Sequence, residues 1–134
     1  MEQHLIDTEP ATLEQLSADL VLVRFKPNAR LSPDGFSQLL AAGRKLPLNH
    51  APGVILVIPE DADFDTRILQ MELDTGDSAG DPLRAMSIVT EGGMFEHIAR
   101  LYFSYHPPGF PFSIFRDLRS ATEWMDKRLM GAVP

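Results

Sequence analysis

Asp61, Asp63 and Asp65 stand at alternate positions in an acidic stretch that closes with Glu72. With Ile68 between them, this spacing matches an EF-hand loop, where alternate carboxylates and a glutamate at the twelfth position surround calcium. Two features oppose that reading. Thr66 occupies the place that needs a glycine for the sharp turn, and the preceding element is an apolar run ending at Pro59, not a helix. Phe64 also interrupts the loop. The stretch reads better as a solvated acidic loop and helix start, where carboxylates favour the helix dipole.

His97 and Arg100 are three residues apart on one helix, His106 follows it, and His50 lies in a loop. An acid–base or metal site needs such groups to converge, and nothing in their spacing specifies it. Surface histidines are the plainer reading, and an enzyme using His97 or His106 with nearby carboxylates ranks third. Thr90-Glu91-Gly92-Gly93 sits where a strand feeds a helix, a place where amides can meet an anion. It lacks Walker or dinucleotide spacing, and Glu91 would repel phosphate. A tight strand-to-helix turn accounts for it. There is no G-x-S-x-G elbow and no H-E-x-x-H pattern. The expectation leans away from an enzyme and includes no cofactor.

The aromatic residues near the end are more suggestive. Phe103 falls off the apolar face expected for its helix, and Pro107 to Phe112 form an unusually apolar turn. Exposed aromatics mark partner or ligand surfaces. Phe103, Phe110 and Phe112 are therefore the candidate interaction surface, against the alternative of a loop folded back on the core.

Hydrophobic patterning supplies the elements that hold these residues. His4–Asp7 reads as an edge strand ended by Pro10. Ala11–Ala18, with Leu13 and Leu16 at helical spacing, reads as a turn or helical turn. Leu20–Phe25 is a strand that stops before Pro27. Ser32 is a good N-cap and Pro33 fits the first helical position, with Phe36, Leu39, Leu40 and Gly43 on one face. Val54–Ile58 has no alternation, so it should be a central strand buried on both faces. Phe64–Asp74 has composition favouring a helix, which a crossover also needs. Thr75–Pro82 is a polar loop and Ala85–Thr90 a strand. The next helix should turn Met94, Phe95, Ile98, Leu101, Tyr102 and Tyr105 inward. Phe112–Phe115 is the last strand. Ser120-Ala121-Thr122-Glu123 has the form of a capping box opening the last helix, with Ala121, Trp124, Met125, Arg128 and Leu129 on one face. Gly131 ends it.

These elements predict a single α/β domain over residues 1–134, in the order β-β-α-β-α-β-α-β-α. About five strands, mostly parallel, would carry four helices. The chain has 134 residues, no cysteine and a formal charge of −7. Disulfides, thiol catalysis and cysteine–metal sites are excluded, and a reducing, cytoplasmic setting is expected. Nucleic acid is excluded as a partner, since the basic residues are dispersed among more numerous acids. The first ten residues lack the basic and apolar regions of a signal peptide. No uninterrupted apolar run approaches the ~20 residues needed to span a bilayer.

Three stretches carry a family resemblance: Ala99-Arg100-Leu101-Tyr102, Ile114-Phe115-Arg116-Asp117-Leu118 and Ala121-Thr122-Glu123-Trp124-Met125. With the element order, they resemble the SpoIIAA-like branch of the STAS family, in which such residues mainly pack. The resemblance implies a non-enzymatic regulatory or protein-interaction module, acting on a protein partner or on itself as a homodimer. A carrier of a small apolar or lipid-like ligand is the alternative. In anti-sigma-factor antagonists of this fold, a Ser or Thr in an Asp-Ser/Thr-x-Gly motif is phosphorylated after the central strand. The literal match here, Asp77-Ser78-Ala79-Gly80, lies in a loop too close to the next strand to open a helix. The positional match, Asp65-Thr66-Arg67, lacks the glycine. Thr66 and Ser78 are thus candidate phosphoacceptors that also serve as ordinary cap and turn formers.

Overall fold

The computed structural model describes residues 5–43, 45–46, 52–65, 67, 84–91, 93–105 and 111–131. In chain order the elements are β1 (Leu5–Asp7), β2 (Ala11–Ser17), β3 (Leu20–Phe25), β4 (Arg30–Leu31), α1 (Pro33–Gly43), β5 (Gly53–Ile58), β6 (Asp63–Phe64), β7 (Ala85–Thr90), α2 (Gly93–Tyr105), β8 (Phe112–Phe115) and α3 (Leu118–Gly131).

The main sheet has six strands in the order β1-β2-β3-β5-β7-β8. β1, β2 and β3 form an antiparallel meander, and β3, β5, β7 and β8 run parallel. The expectation of about five strands falls short by β2. Leu13 and Leu16 gave Ala11–Ala18 a helical spacing, yet Ala11–Ser17 pairs with β3 along its length and Thr12–Glu14 pairs with β1 as well. Ala11 and Leu13 are buried as alternate inward residues, while Leu16 is exposed. Thr8 closes the β1–β2 turn, its hydroxyl donating to the Ala11 carbonyl at 2.6 Å. Pairing with two neighbours overrides a weak local preference.

β4 and β6 pair in parallel as a small second sheet, Arg30 opposite Asp63 and Leu31 opposite Phe64. Phe64 therefore sits in a strand, not at the start of a helix. The remainder of the helix expected over Phe64–Asp74, from residue 68 on, lies outside the described residues. Three helices are described. α1 opens as expected, with the Gly35 N–H donating to Ser32 Oγ at 3.1 Å.

The parallel strands advance across the sheet in one direction. Right-handed crossovers then place their helices on one face. α1 and α2 lie there, over a core that includes Leu13, Val21, Val23, Met86, Ile88 and Phe95. α3 is no crossover; it follows β8 and folds under the other face. It packs on β7, β5 and β8. At that contact Ile55 and Ala85 of the sheet and Ala121 and Met125 of α3 have no exposed surface. β5 is central, between β3 and β7, but Val54, Leu56 and Val57 are only half-buried. The strand buried along its whole length is β7, which lies against both α2 and α3.

The cap of α3 also differs from expectation. Asp117, not Ser120, caps the start of the helix: its carboxylate accepts the Ser120 N–H at 2.7 Å and the Ser120 hydroxyl at 3.2 Å. These bonds lower its pKa. Glu123 instead pairs with Arg119 one turn back, at 3.5 Å. A carboxylate one turn upstream takes the orphan amide, so the helix begins earlier.

Ser87 is the polar exception in β7. Alternation with Ala85 and Val89 turns it toward α3, fully buried, and its hydroxyl has no hydrogen-bond partner among the described residues. An unsatisfied buried hydroxyl costs about 1–3 kcal/mol. Ser87→Ala is expected to match or exceed the wild type in stability, by up to ~1 kcal/mol after a small packing loss. Urea denaturation checks this; a marked loss would show that the hydroxyl is needed.

Candidate interaction surface

α2 is apolar over more of its circumference than one sheet can bury. Side chains advance about 100° per residue, so Phe95, Ala99 and Phe103 form one ridge. Met94, Ile98, Leu101 and Tyr105 form another, roughly a third of a turn away. The first ridge faces the sheet. Phe95 is buried, and Ala99 and Phe103 pack against the core with Ile98 at the margin. The Phe103 ring lies 4.4 Å from Phe112, centroid to centroid, at 35°. Tyr102 meets Phe103 edge-on at 5.3 Å.

The helix is thus rotated from the expected orientation. Met94 and Tyr105 point outward, 65% and 64% exposed. Phe103, expected off the apolar face, is half-buried and packs on the sheet side, with Phe112 half-buried beside it. Small Ala99 between two phenylalanines lets this ridge approach the sheet, whereas the Met94–Tyr105 ridge has bulk at every position. The sequence signal for the outward stripe was the presence of two apolar ridges on one helix, of which only one can face inward.

The outer surface of α2 carries little charge. Glu96 lies on the far side and pairs with Arg100 at 3.3 Å. His97 is exposed beside the stripe. His4, His50 and His106 lie outside the described residues, as do Thr66, Ser78, Gly92 and Phe110. Among the described residues, no three His, Asp or Glu side chains are grouped to hold a metal ion.

The acidic loop is a set of pairings. Asp61 accepts the backbone N–H of Asn28 at 3.2 Å, and Asn28 has a positive φ of 61°. Asp63 pairs with Arg30 at 3.3 Å. Asp65, whose side chain is 11% exposed, receives the Arg67 guanidinium at 2.6 Å and the Arg67 backbone N–H at 2.9 Å. Bonding to Arg67 holds the Asp65 pKa down at about 2, with Arg30 contributing. This cluster was missed because Arg30 and Arg67 are far apart in sequence and meet through the β4–β6 pairing.

A depressed carboxylate pKa contributes stability above the unfolded value near 4, lost as pH falls through about 2. Between pH 4 and pH 2 the wild type should lose melting temperature more steeply than Asp65→Asn. Parallel melting curves over that range would show that Asp65 is not part of the acid transition.

Against solved structures, the chain matches an uncharacterised protein of the DUF3478 family with a SpoIIAA-like fold, from Shewanella loihica PV-4. The match has a TM-score of 0.54 at 16% identity and covers 92% of each chain. This chain has a SpoIIAA-like fold. No family model matches it, and no curated protein matches it. In this SpoIIAA-like chain the apolar residues of the stretches that carried the resemblance pack, while Arg100, Arg116, Asp117 and Glu123 are exposed. Ala121 and Met125 are buried under the sheet. Phe115 meets Trp124 at 6.0 Å, and Arg128 lies over the Trp124 ring at 4.9 Å. Among the described residues, no helix is long and apolar enough to cross a membrane.

Proposed function

We propose that this chain is a non-enzymatic regulatory or protein-interaction module, dimeric, that binds through the outward stripe of α2. The observation that carries this is Met94 and Tyr105, two large apolar side chains left in water on a helix whose other ridge satisfies the fold. The lack of cysteine fits a cytoplasmic setting. Phosphorylation at Thr66 or Ser78 would add charge and three acceptor oxygens, and belongs to the same reading as the regulatory step. The test is a photo-crosslinking amino acid placed at Tyr105 in bacterial cells, with exposed Asp126 on α3 as control. Discrete adducts at Tyr105 and none at Asp126 are expected. Equal labelling or none at both positions would sink the reading.

A second reading, a carrier of a small apolar or lipid-like ligand, is supported by half-buried apolar residues on the α1–α2 face of the sheet. Val54, Leu56, Phe112 and Ile114 on that face pack against its core without being fully buried. Such a strip between helices is where an apolar ligand would lie. Native mass spectrometry of the purified protein should then show a retained small molecule on the monomer. A bare polypeptide mass counts against this reading.

A further inference from the structure

The stripe on α2 has an internal symmetry. Met94 and Tyr105 lie equidistant from the point between Ala99 and Arg100, and so do Ile98 and Leu101. A two-fold axis crossing the helix there would bring each member of a pair onto its counterpart. We propose that two copies of this chain pair through α2 in antiparallel, with Met94 of each copy against the partner's Tyr105 and Ile98 against the partner's Leu101. This rests on the reading of the stripe as an interaction surface and names its occupant as a second copy.

Three observations select that occupant. The first is the matched register, since an isologous contact needs a patch complementary to itself. A methionine thioether against an aromatic ring is a favourable pairing, and it occurs at both ends. The second is charge. A chain with formal charge −7 repels its copy over most approaches. The stripe and its flanks, His97, Tyr102 and Ser104, carry no carboxylate, and Glu96 is turned away and held by Arg100. Antiparallel helices also set the positive end of each dipole against the negative end of the other. The third is size. Met94 and Tyr105, with parts of their neighbours, would bury on the order of 400 Å² per copy. That is the class of weak, concentration-dependent association, with dissociation in the micromolar range or above.

Because the chain has no cysteine, Met94→Cys and Tyr105→Cys would each carry a single thiol. Both sites are exposed, so both variants should keep the wild-type far-UV spectrum. In the antiparallel pair residue 94 lies near the partner's 105 and roughly 16 Å along the axis from the partner's 94. Under mild oxidation the mixture should form a mixed disulfide at least about tenfold faster than either variant alone, since pairing raises the local thiol concentration. Wild-type sedimentation equilibrium should show a monomer–dimer equilibrium that Tyr105→Glu abolishes. Equal self-crosslinking of each variant would overturn the antiparallel register. A wild type that stays monomeric up to about 1 mM would overturn self-pairing altogether. If it does so while Tyr105 crosslinks to chains of other mass in cells, the interaction reading survives and only the choice of partner fails.

Discussion

Gly53→Ala is expected to cost about 1–3 kcal/mol, although it adds a single methyl group to the start of a strand. A Cβ at that position would lie 2.5 Å from Met125 Sδ, 3.3 Å from Met125 Cγ and 3.4 Å from Leu129 Cδ2. A methionine tail can usually swing aside. Here it has nowhere to go, because Met125 has no exposed surface and sits among Ile55, Ala85 and Ala121. Gly53 cannot withdraw either: its backbone pairs with Leu20 and Ala85, and its N–H donates to the Asp19 carbonyl at 2.7 Å. The smaller entropy of an unfolded alanine chain offsets ~0.4–1 kcal/mol at most. Met125→Ala alone should cost about 2–5 kcal/mol through the cavity it leaves. Combined, the two changes should cost less than their sum by about 1 kcal/mol or more, since the alanine at 53 then fills part of that cavity. Urea denaturation of the four proteins in the cycle measures this, and simple additivity would mean that Gly53 and Met125 do not meet.

Phe103→Glu should cost about 2–4 kcal/mol, whereas Tyr105→Glu, two residues on, should fall within ~0.5 kcal/mol of the wild type. Phe103 packs against the α1–α2 core and stacks on Phe112. A glutamate there loses the ring contact and places a carboxylate against the apolar core of that face. Tyr105 is mostly in water, and its replacement disturbs little of the fold. Thermal melts followed by far-UV circular dichroism would separate the two variants. A stable Phe103→Glu protein would mean that α2 is not seated on this ridge. The contrast matters for the surface itself: loss of self-association in Phe103→Glu would report a damaged helix, while loss in Tyr105→Glu reports the stripe.

Much of the fold was legible in local signals. Leu20–Phe25, Val54–Ile58, Ala85–Thr90 and Phe112–Phe115 are short apolar runs bounded by proline, glycine or charge, and each is a strand. Ser32-Pro33 opens α1, and Gly93 begins α2. These depend on neighbouring residues alone. The candidate surface was half legible. Its helix was read correctly, but Met94 and Tyr105 were expected inward, and the contact surface was expected at Phe103, Phe110 and Phe112.

What the sequence by itself determined was the α/β class, the parallel strands and the resemblance to the SpoIIAA-like fold, because these follow from hydrophobic period and chain punctuation. Tertiary structure decided that Ala11–Ser17 is a strand, that β7 is the fully buried one, and that α3 packs on the face of the sheet opposite α1 and α2. It also decided that Phe103 turns in while Met94 and Tyr105 turn out. The reason is common to all four. Periodicity says which residues are apolar, but two ridges on α2 or two faces of a strand are equivalent locally. The choice between them is made by what lies opposite, and those partners come from segments far along the chain.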